Sequence, residues 1–182
     1  MELPVEGFHF VIDALAAISV GAAMNVKPEK IQQSLADFQN MAGRQEILKV
    51  QGFTVIKDCY NAGPESMAAA LDVLGNYSGR RIAVLGDMLE LGVCTQAEHY
   101  RLGRIVAEKA DFLLAYGPNS PRTVNGALTG GMTDGKAKDF QDRQELVQEL
   151  KRFAKPGDVL LFKGSRGMHM ELALEQFLEE EI

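Results

Sequence analysis

The stretch FTVIKDCYNAGPESMAAALDVL, residues 53–74, decides the fold. Its first part, Phe53 to Asp58, carries Thr54, Val55 and Ile56 and reads as a strand. Its last part, Pro64 to Leu74, is rich in Ala, Met and Leu and reads as a helix, with Pro64 pre-setting the first-turn dihedral. Between them an acid, a phenol and an amide (Asp58, Tyr60, Asn61) collect at a strand-to-helix turn.

The same unit recurs downstream. A strand RIAVLG ends at Gly86, and a helix starts at Thr95, where T-x-x-E with Glu98 predicts a capping box. The strand DFLLAYG (111–117) follows, then a helical or irregular stretch around 119–128 and a short strand from Ala137 to Phe140. A helix opens at Asp142 with a capping pattern to Glu145, the strand DVLLFKG ends at Gly164, and a last helix reaches Leu178. Such alternation implies right-handed βαβ crossovers and an α/β fold, a mostly parallel sheet covered on both faces. Upstream, EILKV and FTVIKD flank Gln51-Gly52 and predict a β-hairpin that adds one antiparallel strand.

Before the hairpin, residues 8–24 (FHFVIDALAAISVGAAM) predict a helix of small residues suited to close packing against a neighbour. A second helix starts near Pro28 and runs through EKIQQSLADF, with Ile31, Leu35 and Phe38 on one face. These two helices make no domain alone and look like the tail of something larger, with Asn40 to Arg44 (NMAGR) as connector.

A length of 182 residues with 46% hydrophobic content suits one or two domains with a proper core. A net charge of −6, a pI near 5.1 and no basic run argue against a nucleic-acid surface and fit a cytoplasmic protein. The apolar run Phe10 to Met24 follows Glu2 and Glu6 and is interrupted by Asp13, so it is neither a signal-peptide core nor a membrane span. Cys59 and Cys94 lack a C-x-x-C spacing and nearby histidines, which favours reduced thiols over a disulfide or zinc site; no metal ligands are assigned.

In such a sheet, ligands bind beyond the carboxyl ends of the strands, where loops converge and helix N-termini point. That rule selects Asp58 to Asn61, Gly86 to Gly92, Gly117 to Arg122 and Lys163 to Arg166. The first offers a carboxylate for a sugar diol; the last offers Lys163, the Ser165 hydroxyl and free N–H groups for a carboxylate or phosphate. Each has a bland alternative: Asp58 and Asn61 as helix caps, the commoner role of an isolated D-x-x-N, and Gly86 and Gly92 as ordinary turn glycines. His9 and His99 fall on helices, where imidazoles more often serve structure than chemistry. There is no G-x-G-x-x-G after a strand, no P-loop and no evident Ser, His and Asp set.

The order H-x-x-x-D-A-L-A-A (His9 to Ala17), G-R (Gly43, Arg44), D-x-Y-N-A-x-P-x-S-M (Asp58 to Met67), G-D-M-x-E-L-G (Gly86 to Gly92) and K-G-S-R (Lys163 to Arg166) resembles the Mur ligase family. The resemblance covers nearly the whole chain and respects motif order. It implies that residues 1–44 are the last helices of a central ATP-binding domain and residues 45–182 a Rossmann-like C-terminal domain. The N-terminal domain and the rest of the central one would lie outside this chain, which would be inactive alone.

The implied reaction uses ATP and Mg2+ to join UDP-N-acetylmuramoyl-tripeptide to D-alanyl-D-alanine in peptidoglycan precursor synthesis. The resemblance places Arg44 on the γ-phosphate and Asp58 on the ribose hydroxyls, with Tyr60 and Asn61 framing the nucleotide. It puts His9 and Asp13 on the adenine side. Lys163 and Ser165 are candidates for the dipeptide carboxylate, and Asp87 and Glu90 for the acceptor-side rim. One departure concerns the adenine: the family pattern H-N-x-x-N stands here as His9-Phe10-Val11-Ile12-Asp13, and an ionised aspartate only accepts hydrogen bonds. A freestanding binding module of this fold, or a related folylpolyglutamate or cyanophycin synthase, remains the alternative.

Overall fold

The computed structural model describes residues 3–179, which cluster into two compact units divided between Ala42 and Gly43. In the first unit, α1 (Phe8–Ala23) and α2 (Pro28–Ala36) are joined by a short turn. Pro28 opens α2 as expected, but the helix stops at Ala36, before Phe38. Ala14 is the buried residue of α1, whereas Phe8 (76%) and Met24 (72%) stand exposed with Ile12, Leu15 and Val20. A helix apolar on most sides belongs in an interior, so this face needs a cover.

The second unit holds β1 (Glu46–Val50), β2 (Phe53–Asp58), α3 (Pro64–Gly75), β3 (Arg81–Gly86), α4 (Thr95–Lys109) and β4 (Phe112–Tyr116). It continues with α5 (Ser120–Thr129), β5 (Ala137–Phe140), α6 (Arg143–Phe153), β6 (Val159–Lys163) and α7 (Met170–Leu178). The strands form one sheet in the order β1-β2-β6-β3-β4-β5. Only β1 with β2 is antiparallel, a hairpin whose turn residues Gln51 (φ 50°) and Gly52 (φ 82°) both take the left-handed conformation. Every other neighbouring pair is parallel, as the βα alternation requires.

Alternation along the central strands fills both faces. Ala83 and Leu85 of β3, Leu113 of β4 and Leu161 of β6 meet Met67, Leu71 and Leu74 of α3 and Leu102 and Val106 of α4. Ile82, Val84, Leu114, Leu160 and Phe162 face the other way, against Leu146 and Leu150 of α6 and Met170 and Leu174 of α7. Burying a side chain of this size contributes about 1.5–3 kcal/mol, so two full faces account for a sheet that stands without a ligand.

Two helix starts show where local reading holds and fails. Asp142 caps α6 as predicted, accepting hydrogen bonds from the Gln144 and Glu145 amides. Thr95 does not cap α4. A 3₁₀ turn over Gly92–Cys94 runs directly into the helix, so Thr95 is already helical and its hydroxyl donates back to Gly92 O. The stretch after Gly117 is the full helix α5, which crosses α4 at Gly103 and Gly126. A Cβ on Gly103 would fall 1.9 Å from Thr123 O, so the backbones touch only because that side chain is absent.

Candidate functional site

The parallel register places the strand ends side by side. Asp58, the last residue of β2, pairs with Lys163, the last of β6, and Lys163 pairs with Leu85 of β3. Gly86 lies opposite Tyr116 on β4. Three of the four segments singled out from sequence thus leave adjoining strands on one line, and the fourth follows at Gly117.

Hydrogen bonds knit these segments together. Ser165 N–H donates to Asp87 O at 3.0 Å, and Leu89 N–H donates to the Ser165 hydroxyl at 2.8 Å. That hydroxyl in turn donates to Ala62 O at 3.3 Å. The loops after β2, β3 and β6 therefore share one serine. Gly86 and Gly164 allow this approach, since a Cβ on Gly164 would sit 3.0 Å from the Gly86 Cα.

Asp58 and Lys163 form the centre. The Lys163 ammonium is 2% exposed and donates to Asp58 Oδ2 at 2.6 Å and to Asn61 O at 2.9 Å. Asp58 keeps 14% exposure, and its Oδ1 accepts no hydrogen bond among the described residues. A fixed carboxylate with one open oxygen is suited to a hydroxyl pair. The capping alternative fails: the N-cap of α3 is Gly63, Ser66 supplies the hydroxyl that accepts from its N–H, and Asn61 Oδ1 only receives the Ala62 N–H.

Asp87 is turned inward, 2% exposed, and its Oδ2 accepts from both the amide N–H and the side-chain NH2 of Asn119, at 2.9 and 2.8 Å. His99 braces the same loop. Its Nε2 accepts the Met88 N–H at 3.0 Å, and Nδ1 donates to Thr95 O at 2.7 Å, the tautomer that these partners require. Of the G-D-M-x-E-L-G loop, Leu89 and Glu90 face solvent, with Glu90 at φ 65°, a backbone conformation unusual for a non-glycine residue.

Arg44 and Tyr60 meet on the outer side of the β2 end. The guanidinium lies 4.3 Å from the Tyr60 ring centroid, both side chains are exposed, and Tyr60 N–H donates to Gly43 O at 3.1 Å. His9 and Asp13 belong to α1 of the first unit. His9 packs against Phe10, and Asp13 and Phe10 line an apolar cavity of about 250 Å³ with Leu35 and Phe38.

Cys59, next to Asp58, is buried and donates to Phe162 O; burial, reinforced by the charge of Glu171, pushes its thiol up to about 12. Cys94 is free and exposed. Among the described residues, no group of three or more His, Cys, Asp or Glu side chains is placed to hold a metal, and no helix is long and apolar enough to cross a membrane.

Sequence reading singled out Asp58, Asp87, Lys163 and Ser165 as candidates but not their partnerships. It missed the bracing roles of His99 and Asn119, because nothing local marks a helix histidine that receives a loop amide eleven residues earlier.

Known proteins complete the picture. The family described as Mur ligase, glutamate ligase domain, matches residues 43–166. The UDP-N-acetylmuramoyl-tripeptide–D-alanyl-D-alanine ligase of Bacillus subtilis (strain 168) is 34% identical over 181 residues, 97% of this chain and 39% of that protein. Its counterpart in Escherichia coli (strain K12) is 32% identical over 173 residues, 93% of this chain and 37% of that protein. The chain thus spans about two fifths of the length of the curated relatives it matches. Among solved structures, MurF from Acinetobacter baumannii superposes with a TM-score of 0.88 at 34% identity, covering 98% of this chain and 39% of that one. Folylpolyglutamate synthase from Mycobacterium tuberculosis, at 15% identity and a TM-score of 0.65 over 98% of this chain and 42% of that one, shares the fold alone. The chain belongs to the Mur ligase family, and residues 43–166 carry its glutamate ligase domain.

Proposed function

We propose that this chain is the C-terminal part of a ligase that adds D-alanyl-D-alanine to UDP-N-acetylmuramoyl-tripeptide in the cytoplasm, in peptidoglycan precursor synthesis. Residues 1–44 would belong to the central ATP-binding domain and residues 45–182 to the domain that closes over the acceptor. The observation that carries this reading is the line of strand ends at Asp58, Lys163 and Gly86, in a chain 34% identical to a ligase of that name. The exposed apolar face of α1 supports it, since that face needs a covering domain.

In the proposed reaction the terminal carboxylate of the tripeptide takes the γ-phosphoryl group of ATP, giving an acyl phosphate and ADP. The dipeptide amine then attacks the acyl carbon; a C–N bond forms, the C–O bond to phosphate breaks, and phosphate and a proton leave. Mg2+, when bound, would spread the charge of the phosphoryl group; its ligands are assigned to substrate phosphates and to residues outside this chain. Asp58, with Oδ2 held by Lys163, presents Oδ1 to the ribose hydroxyls, and Tyr60 and Asn61 frame that edge. Arg44, resting on Tyr60, supplies a planar, always-charged fork for the γ-phosphate. His9 and Asp13 stay assigned to the adenine side, Asp13 as acceptor from the amino group.

Lys163 and Ser165, both buried and already partnered, act toward the dipeptide by holding the loops that line its site. Asp87 does the same through Asn119, which leaves Glu90 and Arg166 at the solvent-facing rim. The test is a turnover assay on the intact protein that carries this chain. ADP release is expected only when both the tripeptide nucleotide and D-alanyl-D-alanine are present. Equal release with glutamate in place of the dipeptide overturns the substrate assignment.

A further inference from the structure

A second cavity, of about 270 Å³, lies at the other end of the sheet, where β3, β4 and β5 begin and α6 ends. It shares no residue with the strand-end site. Its lining includes Arg80, Lys136, Lys138 and Arg152, with Glu149 as the acid among the described residues there. That runs against the chain as a whole, which has 25 acidic and 19 basic residues.

The charges do not cancel. Arg80 is spent: it donates from Nε and Nη2 to the two oxygens of Asp158, at 2.9 and 2.6 Å, and from Nη2 to Phe153 O at 2.7 Å. Glu149 is shared, receiving Lys138 at 2.6 Å and Arg152 at 2.7 Å. Lys136 reaches over the Phe112 ring, its Nζ 5.5 Å from the centroid, and forms no ion pair among the described residues. Asp111 also attracts Lys136 and Arg80 but is paired with Arg81 at 2.9 Å, so five cations (Arg80, Arg81, Lys136, Lys138, Arg152) against three acids (Asp111, Glu149, Asp158) leave two positive charges in excess.

A helix C-terminus would ordinarily repel an anion, but here the Phe153 carbonyl is already occupied by Arg80 and the last turn carries Lys151 and Arg152. The floor is apolar, formed by Phe112 and Phe153, whose ring centroids lie 5.2 Å apart. The Arg80 guanidinium lies over both rings, 5.2 Å from the Phe112 centroid and 5.5 Å from that of Phe153, while Lys136 and Arg152 reach into solvent, where their attraction for an anion weakens with salt.

We propose that this cavity binds a small phosphate-bearing dianion, with Lys136 and Arg152 as its main donors and Lys138 dividing its ammonium between Glu149 and the guest. Its volume falls just below the range of about 300–1,000 Å³ usual for organic ligands, which favours a phosphate or a short phosphate ester over a nucleotide. Fork-shaped Arg and mobile Lys donors suit phosphate oxygens.

The test is a titration of this chain at constant ionic strength with inorganic phosphate and, separately, with glycerol 3-phosphate, followed by amide and Arg side-chain NMR shifts. Saturable shifts at Phe112, Lys136, Lys138 and Arg152 are expected with at least one probe, and the tighter one identifies free phosphate or ester as the source. Lys136→Glu, at an exposed position, should weaken binding by about tenfold or more while the chain melts as before. Asp58→Asn should leave this binding unchanged, which separates it from the ligase reading. No saturation by about 10 mM, shifts that survive Lys136→Glu, or shifts centred on Ser165 would each overturn the proposal.

Discussion

Lys163 and Asp58 illustrate what a residue-level reading can and cannot supply. Asp58 announces itself at the end of a strand, but its partner lies 105 residues away and becomes visible only once β2 and β6 are known to be neighbours. Removing one member of a buried pair is worse than removing both, because the survivor stays desolvated and unpaired. Lys163→Met, which roughly keeps the side-chain volume, is expected to destabilise the chain by about 3 kcal/mol in urea unfolding, with part of that recovered in Lys163→Met/Asp58→Asn. A single variant as stable as the parent would show the pair to be incidental.

Glu149 carries the pH-dependent counterpart. Hydrogen bonds from Arg152, then from Lys138, hold its carboxyl down at about 2, against an ordinary value of 4.5. A carboxylate depressed in the folded state contributes stability that is complete above its unfolded value and is lost as pH falls toward the folded one. The chain should therefore lose stability between pH 4.5 and about 2, and Glu149→Gln should flatten that part of the acid-unfolding curve. The effect is modest, since Arg152 is largely in solvent and surface pairs are worth little.

At the scale of elements, the sequence carries most of the boundaries because period, proline and cap agree with one another. The helix from Pro64, the strand from Arg81 and the cap at Asp142 need no tertiary information. Thr95 is where that agreement misleads. T-x-x-E satisfies the capping rule, yet the 3₁₀ turn begun at Gly92 makes the same threonine part of the helix. The contact of α4 with α5 was also hidden, since Gly103 inside a helix looks like a weakness until Gly126 lies against it. Gly103→Ala, ordinarily a favourable change in a helix, should here cost about 2–3 kcal/mol in thermal or urea unfolding because a Cβ meets backbone rather than a yielding side chain. Gly63→Ala, with nothing within 4 Å of the new Cβ, should be milder, its cost limited to the poorer N-cap that alanine makes for α3.

For the whole molecule, alternation of strands and helices gives a parallel sheet, but not its order. That β6 inserts between β2 and β3 decides the site, because it brings Lys163 to Asp58 and Ser165 to Asp87. Insertion of the last strand into the middle of the sheet leaves no local trace; it follows from which arrangement buries Val159, Leu160, Leu161 and Phe162 on both faces. The rule that ligands gather at carboxyl ends selects segments without knowing the order, which is why candidate residues could be named from the sequence while their mutual contacts could not.

The central claim is that these strand ends hold Asp58 for a nucleotide and not merely as the counter-ion of Lys163. On the proposed ligase reading, the most direct measurement is the KM for ATP of the intact protein that carries this chain, with Asp58 and with Asp58→Asn, each alongside a thermal melt. The account predicts a rise of about tenfold or more in KM, with kcat changed far less, as expected for loss of hydrogen bonds to a charged acceptor in the ground state. An unchanged KM in a variant that folds and turns over would contradict it, leaving the pair as a structural brace and the nucleotide to be placed elsewhere.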